Sequence, residues 1–142
     1  MQIVGELMTR PVVTLTETQN LAKADELLRL HRIRHLPVVR QGRLVGLVTH
    51  RDLLRAAAHH GPPPERPIWA ADIMTREVAT VRPDTPLRDA VRLMLAQKYG
   101  CLPVVDEDDA LLGILTEADL VKYAQHLIDI QDRREMAASY DA

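Results

Sequence analysis

The chain contains an internal repeat. The segments LMTRPVVTL, HLPVV and LVGLVTHRDL of the first half reappear in the second half as IMTREVATV, CLPVV and LLGILTEADL. The offset is 66 residues for the first two pairs and 67 for the third. Pairing residues 7–42 with 73–108 and 44–57 with 111–124 gives 18 identities in 50 pairs, where unrelated sequences would give roughly three. We therefore expect two copies of one structural unit.

Each copy has the same predicted order of elements. An extended segment rich in β-branched residues, at 12–15 and 78–81, comes before an amphipathic helix. In the second copy, Thr85 is the predicted N-cap and Pro86 the first helical residue. Two short apolar strands follow around a polar turn, and a second helix begins after the threonine of GLVT or GILT. The predicted order is strand, helix, strand, strand, helix.

The size of the repeat indicates that the two copies fold together. A unit of about 55 residues buries too little apolar surface to be comfortably stable alone, so we expect the copies to pack with pseudo-two-fold symmetry in an α+β fold. The predicted organisation is a first module at 1–61, a proline-rich linker at 62–67, a second module at 68–130 and a C-terminal helix extension or tail at 131–142.

Composition and motifs argue against several classes of protein. A net charge of -2, one tryptophan and no phenylalanine predict no nucleic-acid surface. No apolar run approaches the roughly 18 residues that span a bilayer, and no secretory signal is present, so we expect a cytoplasmic protein. The sequence contains no motif of a catalytic nucleophile or of a zinc protease, so we do not expect an enzyme. No metal site is predicted, because the GPPP between His60 and Glu65 does not set a fixed ligand spacing.

A Thr-x-x-Asp segment opens the second helix of each copy, as Thr49 with Asp52 and as Thr116 with Asp119. One interpretation is a capping box that satisfies free backbone N–H groups. The other is a ligand site, because a carboxylate there can bind two ribose hydroxyls while the hydroxyl and the helix amides bind phosphate. The spacing alone leaves both interpretations open.

The repeated motifs MT, LPVV and above all GLVTHRD and GILTEAD resemble the two modules of a CBS-domain pair, also called a Bateman module, over about residues 5–124. The resemblance implies two βαββα modules whose sheets pack together with the helices outside. It also implies up to two clefts for adenosine-containing ligands such as AMP, ADP, ATP or S-adenosylmethionine, with no required cofactor. Such a module senses its ligand and transmits the change to a protein partner, which the sequence does not identify. The alternative is a structural or dimerisation module whose clefts stay empty.

The family pattern assigns roles to individual positions. It implies that Asp52 and Asp119 bind ribose hydroxyls, and that Thr49 and Thr116 bind adjacent ribose or phosphate oxygens. The resemblance implies that one adenine lies among Leu47, Val78, Ala79 and Tyr99, and the other among Ile114, Val12, Val13 and Ile33. The positions before LPVV would reach phosphate near the pseudo-dyad; they are Arg34 and His35 in the first copy, but Gly100 and Cys101 in the second.

The two clefts should differ in charge. His50 and Arg51 follow the first threonine, whereas Glu117 and Ala118 follow the second. Because cations attract phosphate and a carboxylate repels it, we expect the first cleft to bind a phosphorylated ligand more tightly. The excess length of the C-terminal helix with its apolar stripe, together with the two-fold association that the resemblance implies, leads us to expect a homodimer in which these helices or their first-copy equivalents meet. The stripe comprises Leu120, Ala124, Leu127 and Ile128.

Overall fold

A computed structural model of the protein describes residues 1–59 and 65–141. Residues 62–64 of the predicted linker, and Ala142 of the predicted tail, lie outside the described residues. The elements in chain order are α1 (Val4–Leu7), α2 (Leu21–His31), β1 (His35–Arg40), β2 (Arg43–Thr49), α3 (His50–Ala57), α4 (Ala70–Ile73), α5 (Leu87–Gln97), β3 (Cys101–Val105), β4 (Leu111–Thr116) and α6 (Glu117–Asp141).

Two antiparallel hairpins form the sheets, and both were predicted. β1 pairs with β2 and β3 pairs with β4 in matching registers. The hairpin turns meet at the pseudo-dyad, where Leu44 N donates to Asp109 O (2.9 Å) and Leu111 N donates to Gly42 O (3.0 Å). The α+β fold of two modules related by pseudo-two-fold symmetry is thereby confirmed.

The predicted first strand of each copy is much shorter than expected. A single residue, Leu15 or Val81, forms a parallel bridge to β1 or β3. Immediately after Leu15 the chain turns, and Gln19 N donates to Thr16 O (3.2 Å). Because the turn carries the chain away from the sheet, each extended segment contributes one bridge instead of a strand.

The predicted start of α5 is wrong by one residue. The helix begins at Leu87 with Pro86 as its N-cap, and Asp89 N donates to Pro86 O (3.0 Å). The carbonyl of Thr85 instead accepts from Val4 N (2.9 Å). Since a tertiary contact takes the carbonyl that would open the helix, Thr85 stays outside it.

Each hydrophobic core combines residues from both repeats. Ala70 and Met74, which come from α4 and the residue after it, belong to the cluster built on β1 and β2. Val4 of α1 is fully buried in the cluster built on β3 and β4. The short helix that opens each repeat therefore packs on the sheet of the other repeat, and this exchange joins the two cores.

A methionine covers the glycine of each second strand. A Cβ on Gly113 would lie 2.6 Å from Met8 Sδ, and a Cβ on Gly46 would meet Met74 Sδ in the same way. Glycine is required at these positions because the opposite repeat approaches so closely. The MT and GLVT/GILT motifs thus recur together because they touch in space.

The 25-residue helix α6 leaves apolar side chains in solvent. Leu120 packs against the second core, whereas Val121, Leu127 and Ile128 are 68%, 48% and 58% exposed. Within the predicted apolar stripe, Leu120 is therefore packed against the core, whereas Leu127 and Ile128 are exposed to solvent. None of the described helices combines the length and hydropathy needed to cross a membrane.

Candidate functional site

Thr49 and Asp52 form a capping box where β2 turns into α3. Thr49 N donates to Asp52 Oδ2 (2.8 Å), and Asp52 N donates to Thr49 Oγ1 (3.2 Å). The second carboxylate oxygen, Oδ1, accepts no hydrogen bond from the part of the chain that the structure describes. Asp52 is half-buried. Capping therefore uses one carboxylate oxygen and leaves the other available to a ligand.

An open groove of about 990 Å³ runs along α3 beside Asp52. On its far wall, Arg66 binds both oxygens of Asp72 at 2.7 and 2.8 Å and lies over Trp69, 4.4 Å from the ring centre. The Arg66 guanidinium lowers the pKa of Asp72 to about 2. The described lining residues are Asp52, Arg55, Ala56, His59, Glu65, Arg66, Pro67, Ile68, Asp72 and Ile73.

Asp119 occupies the equivalent place in the second copy but is more heavily bonded. Its Oδ2 accepts from Thr116 N (2.9 Å) and Thr116 Oγ1 (3.1 Å). Its Oδ1 accepts from Thr9 Oγ1 (2.6 Å), and the residue is only 8% exposed. Tyr123 replaces Ala56 at the equivalent position of the helix and packs against the second core. The Asp119 carboxylate is thus enclosed, whereas the Asp52 carboxylate lies beside an open groove.

His35 lies at the centre of the molecule, against Gly100. A Cβ on Gly100 would lie 2.7 Å from His35 Nε2 and 3.6 Å from Glu117 Oε1. Burial lowers the pKa of His35; Glu117 opposes this shift and Arg34 adds to it. Burial, and then Glu117, raise the pKa of Cys101 to about 12. At neutral pH the imidazole is therefore mainly uncharged, and the thiol is fully protonated.

Three predicted phosphate-binding residues of the first copy are exposed. His50 and Arg51 form the first turn of α3, and Arg34 precedes β1. His50 N donates to Arg34 O (2.9 Å), so the backbone brings these positions together. In the second copy, Glu117 and Ala118 are exposed at the corresponding turn. The cationic side chains therefore belong to the same copy as the open carboxylate.

The residues predicted around the first adenine are only partly brought together. Leu47 exchanges two backbone hydrogen bonds with Thr75, both of 2.9 Å, and Val78 and Ala79 follow Thr75 in the chain. Ala79 packs against the second core, and none of Leu47, Val78 and Ala79 lines the groove beside Asp52. Tyr99 lines a separate groove of about 330 Å³ between α5 and α6, and Leu47 does not line that groove.

The residues predicted around the second adenine are mostly core residues. Ile114 is 6% exposed and exchanges backbone hydrogen bonds with Thr9 (2.8 and 3.0 Å). Val12 is half-buried a few residues after Thr9. Val13 and Ile33 pack against the first core. Ile114 is accordingly more deeply buried than Leu47, its counterpart in the first copy.

Sequence reasoning missed Thr9. The available signal was the MT dipeptide, which occurs at residues 8–9 and 74–75. Thr9 binds Asp119, whereas the hydroxyl of Thr75 forms no hydrogen bond with Asp52. The repeat could have indicated the position, but not which of the two threonines binds the acid.

Solved structures of similar fold contain adenosine compounds. The CBS-domain pair of protein MJ0100, in complex with 5′-methylthioadenosine and S-adenosyl-L-methionine, has a TM-score of 0.79 and 28% identity, covering 89% of this chain and 98% of its own. CBSX2, a protein of Arabidopsis thaliana, in complex with AMP, has a TM-score of 0.77 and 32% identity, covering 89% and 98%.

Curated relatives give a consistent assignment. The CBS domain-containing protein YhcV of Bacillus subtilis is 32% identical over 120 residues, which cover 84% of each chain. The chain spans only 64% and 47% of the length of two other relatives, from Methanopyrus kandleri and Methanocaldococcus jannaschii. The family model described as CBS domain matches residues 4–59 and 70–126. The chain has two repeats, and the short helix that opens each one (its entry helix, α1 or α4) packs on the sheet of the other. It therefore belongs to the CBS-domain family as a tandem pair.

Proposed function

We propose that this CBS pair is a regulatory module that binds an adenosine-containing ligand and transmits the change to a protein partner. The observation that carries the proposal is Oδ1 of Asp52, beside the amino end of α3, which accepts no hydrogen bond within residues 1–59 and 65–141. A carboxylate oxygen accepts hydrogen bonds from ribose hydroxyls, and a helix amino end favours an anion. AMP in CBSX2 and S-adenosyl-L-methionine in the MJ0100 pair support this class of ligand.

The first cleft is proposed to take the phosphorylated ligand. Asp52 binds the ribose, Thr49 the neighbouring oxygens, and Leu47 with Val78 and Ala79 one face of the base. The exposed side chains of His50 and Arg51 lie in the same turn as the carboxylate and are proposed to bind phosphate. Nearer the pseudo-dyad, Arg34 supplies a further cation and His35 a neutral hydrogen-bond donor.

The second cleft is proposed to be weaker. Glu117 and Ala118 replace the cationic pair, and Glu117 repels phosphate at close range. Asp119 would bind the ribose there, with Thr116 beside it and Ile114 against the base. A ligand that preferred this cleft would be one without phosphate groups.

We propose that the effect of ligand binding is transmitted through the exchanged packing, in which the short helix that opens each repeat packs on the sheet of the other repeat. Because each core contains residues from both repeats, a ligand that shifts one repeat changes the packing of the other. The exposed apolar residues of α6 are proposed to bind a second copy of the chain in a homodimer. The protein partner would recognise the change in this dimer.

Titration calorimetry tests the binding step. Wild-type protein should bind AMP or ATP, and Asp52→Asn should weaken binding about tenfold or more, because the neutral amide loses a charge-assisted hydrogen bond. Asparagine keeps an oxygen for Thr49 N and so preserves the helix cap. Asp119→Asn is the matched control and should leave the tighter site within about twofold.

The second candidate is a ligand-free structural module. The observation that favours it is that both capping boxes are complete without a ligand. Thermal shift separates the two candidates, since a ligand at one hundred times its Kd adds about 2.7 kcal/mol of stability. If AMP, ATP and S-adenosylmethionine all leave the melting temperature unchanged at millimolar concentration, the structural module is the better description.

A further inference from the structure

We infer that Thr9 acts as a built-in competitor for the second cleft, and this inference rests on the proposed function. Its hydroxyl donates to the Asp119 carboxylate at the place where a ribose hydroxyl would bind. A ligand therefore fills the first cleft before the second. Thr9 is then a residue that determines the order of binding.

The hydrogen bond from Thr9 to Asp119 is short. Thr9 Oγ1 donates to Oδ1 at 2.6 Å, a length typical of a hydroxyl bound to a charged carboxylate. The other oxygen, Oδ2, already accepts from the amide and the hydroxyl of Thr116. Oδ1 keeps a second acceptor site, but Asp119 is only 8% exposed. A ribose hydroxyl that binds Oδ1 must therefore compete with the Thr9 hydroxyl for access.

The backbone holds Thr9 in position for this role. Thr9 N donates to Ile114 O (2.8 Å), and Ile114 N donates to Thr9 O (3.0 Å). The preceding Met8 packs over Gly113 of the same strand. Since the main chain is fixed on both sides, the hydroxyl meets the carboxylate with little loss of conformational entropy.

The first copy shows the same backbone without the competing contact. Thr75 exchanges two backbone hydrogen bonds with Leu47, as Thr9 does with Ile114. Within residues 1–59 and 65–141, however, no hydroxyl donates to the Asp52 carboxylate. The same backbone pairing therefore occurs with the competing contact in one copy and without it in the other.

The consequence is a graded response to ligand concentration. Binding at Asp52 adds a new hydrogen bond, whereas binding at Asp119 exchanges one bond for another. A hydrogen bond to a charged group corresponds to about tenfold or more in affinity, so the second site should be weaker by at least that factor. A single polypeptide could thus report both low and high ligand concentrations.

The experiment measures calorimetric binding of 5′-methylthioadenosine, which has no phosphate and so removes repulsion by Glu117 as a cause of asymmetry. Wild-type protein should show one tight and one weak site. Thr9→Val removes the hydroxyl while keeping the shape, and should tighten the weak site about tenfold. Thr9→Ser keeps a hydroxyl and should behave as wild type, and Thr75→Val should tighten neither site.

The assignment to the second cleft is made in an Asp52→Asn background, where the first site is already weakened and any tightening caused by Thr9→Val is assigned to the Asp119 site. The inference is overturned if Thr9→Val leaves the weak site unchanged or weaker while wild-type protein still binds; the proposed function then survives. If neither wild type nor Thr9→Val binds 5′-methylthioadenosine, AMP or S-adenosylmethionine, both proposals fail. Thr9 is exposed, so circular dichroism should show the same fold in each variant.

Discussion

Replacing Gly113 by alanine should destabilise the protein, although alanine ordinarily stabilises a position that glycine holds in an unstrained backbone. Fewer unfolded conformations would favour alanine by about 0.4–1 kcal/mol. Against this, the new Cβ would lie 2.6 Å from Met8 Sδ, 3.0 Å from Met8 Cγ and 3.1 Å from Thr9 O. That carbonyl cannot retreat, because it accepts from Ile114 N.

Overpacking of this kind costs about 1–3 kcal/mol, so we expect a net loss of about 1–2 kcal/mol after the gain from the unfolded state. Urea unfolding followed by circular dichroism measures it, with the m-value unchanged if only the native state is affected. Met8→Ala in the same chain should remove the contacts with Met8 Sδ and Cγ and leave only the contact with Thr9 O, making the double variant about 1 kcal/mol more stable than the sum of the single losses. A Gly113→Ala protein as stable as wild type, or strictly additive losses, would refute this explanation of the paired motifs.

Three further outcomes follow from the structure. Val4→Ala removes two methyl groups from a fully buried position and should lower the free energy of unfolding by about 2–3 kcal/mol; a loss below 0.5 kcal/mol in urea would contradict the packing of α1 on the second core. Cys101, with its pKa raised to about 12 by burial, should react with a thiol reagent at pH 8 only as fast as the protein unfolds, and prompt labelling would show it accessible. Burial lowers the pKa of His35, so the unfolded state binds this proton first and stability falls as the pH drops below about 6.5. His35→Gln should reduce that fall between pH 7 and 5, whereas an unchanged slope would assign it to other groups.

Much of the fold could be predicted because local signals and the repeat agree. The two hairpins and the helices that begin after Thr49 and Thr116 lie where short apolar runs and capping residues predicted them. The errors occur where a distant residue competes for a backbone group. Thr85 is excluded from its helix because Val4 N binds its carbonyl. Such competition has no local signature, since the two residues are far apart in sequence.

The candidate site shows the same division. The Thr-x-x-Asp spacing is sufficient to predict both capping boxes, and the flanking residues indicate opposite charge in the two clefts. Nothing in the spacing distinguishes Asp52, which has one carboxylate oxygen bonded within the described residues, from Asp119, which has both oxygens bonded. That difference arises from Thr9, a residue 110 positions away from its partner Asp119.

The amino-acid sequence by itself determined the duplication, the helix–strand–strand–helix succession within each copy and the paired acids at the amino ends of two helices, because these depend on periodicity and on contacts a few residues apart. Only the tertiary structure decided which core each entry helix joins and which carboxylate remains open. Those outcomes depend on contacts across the pseudo-dyad, where two copies with the same motifs lie in surroundings of different size, charge and hydrogen bonding.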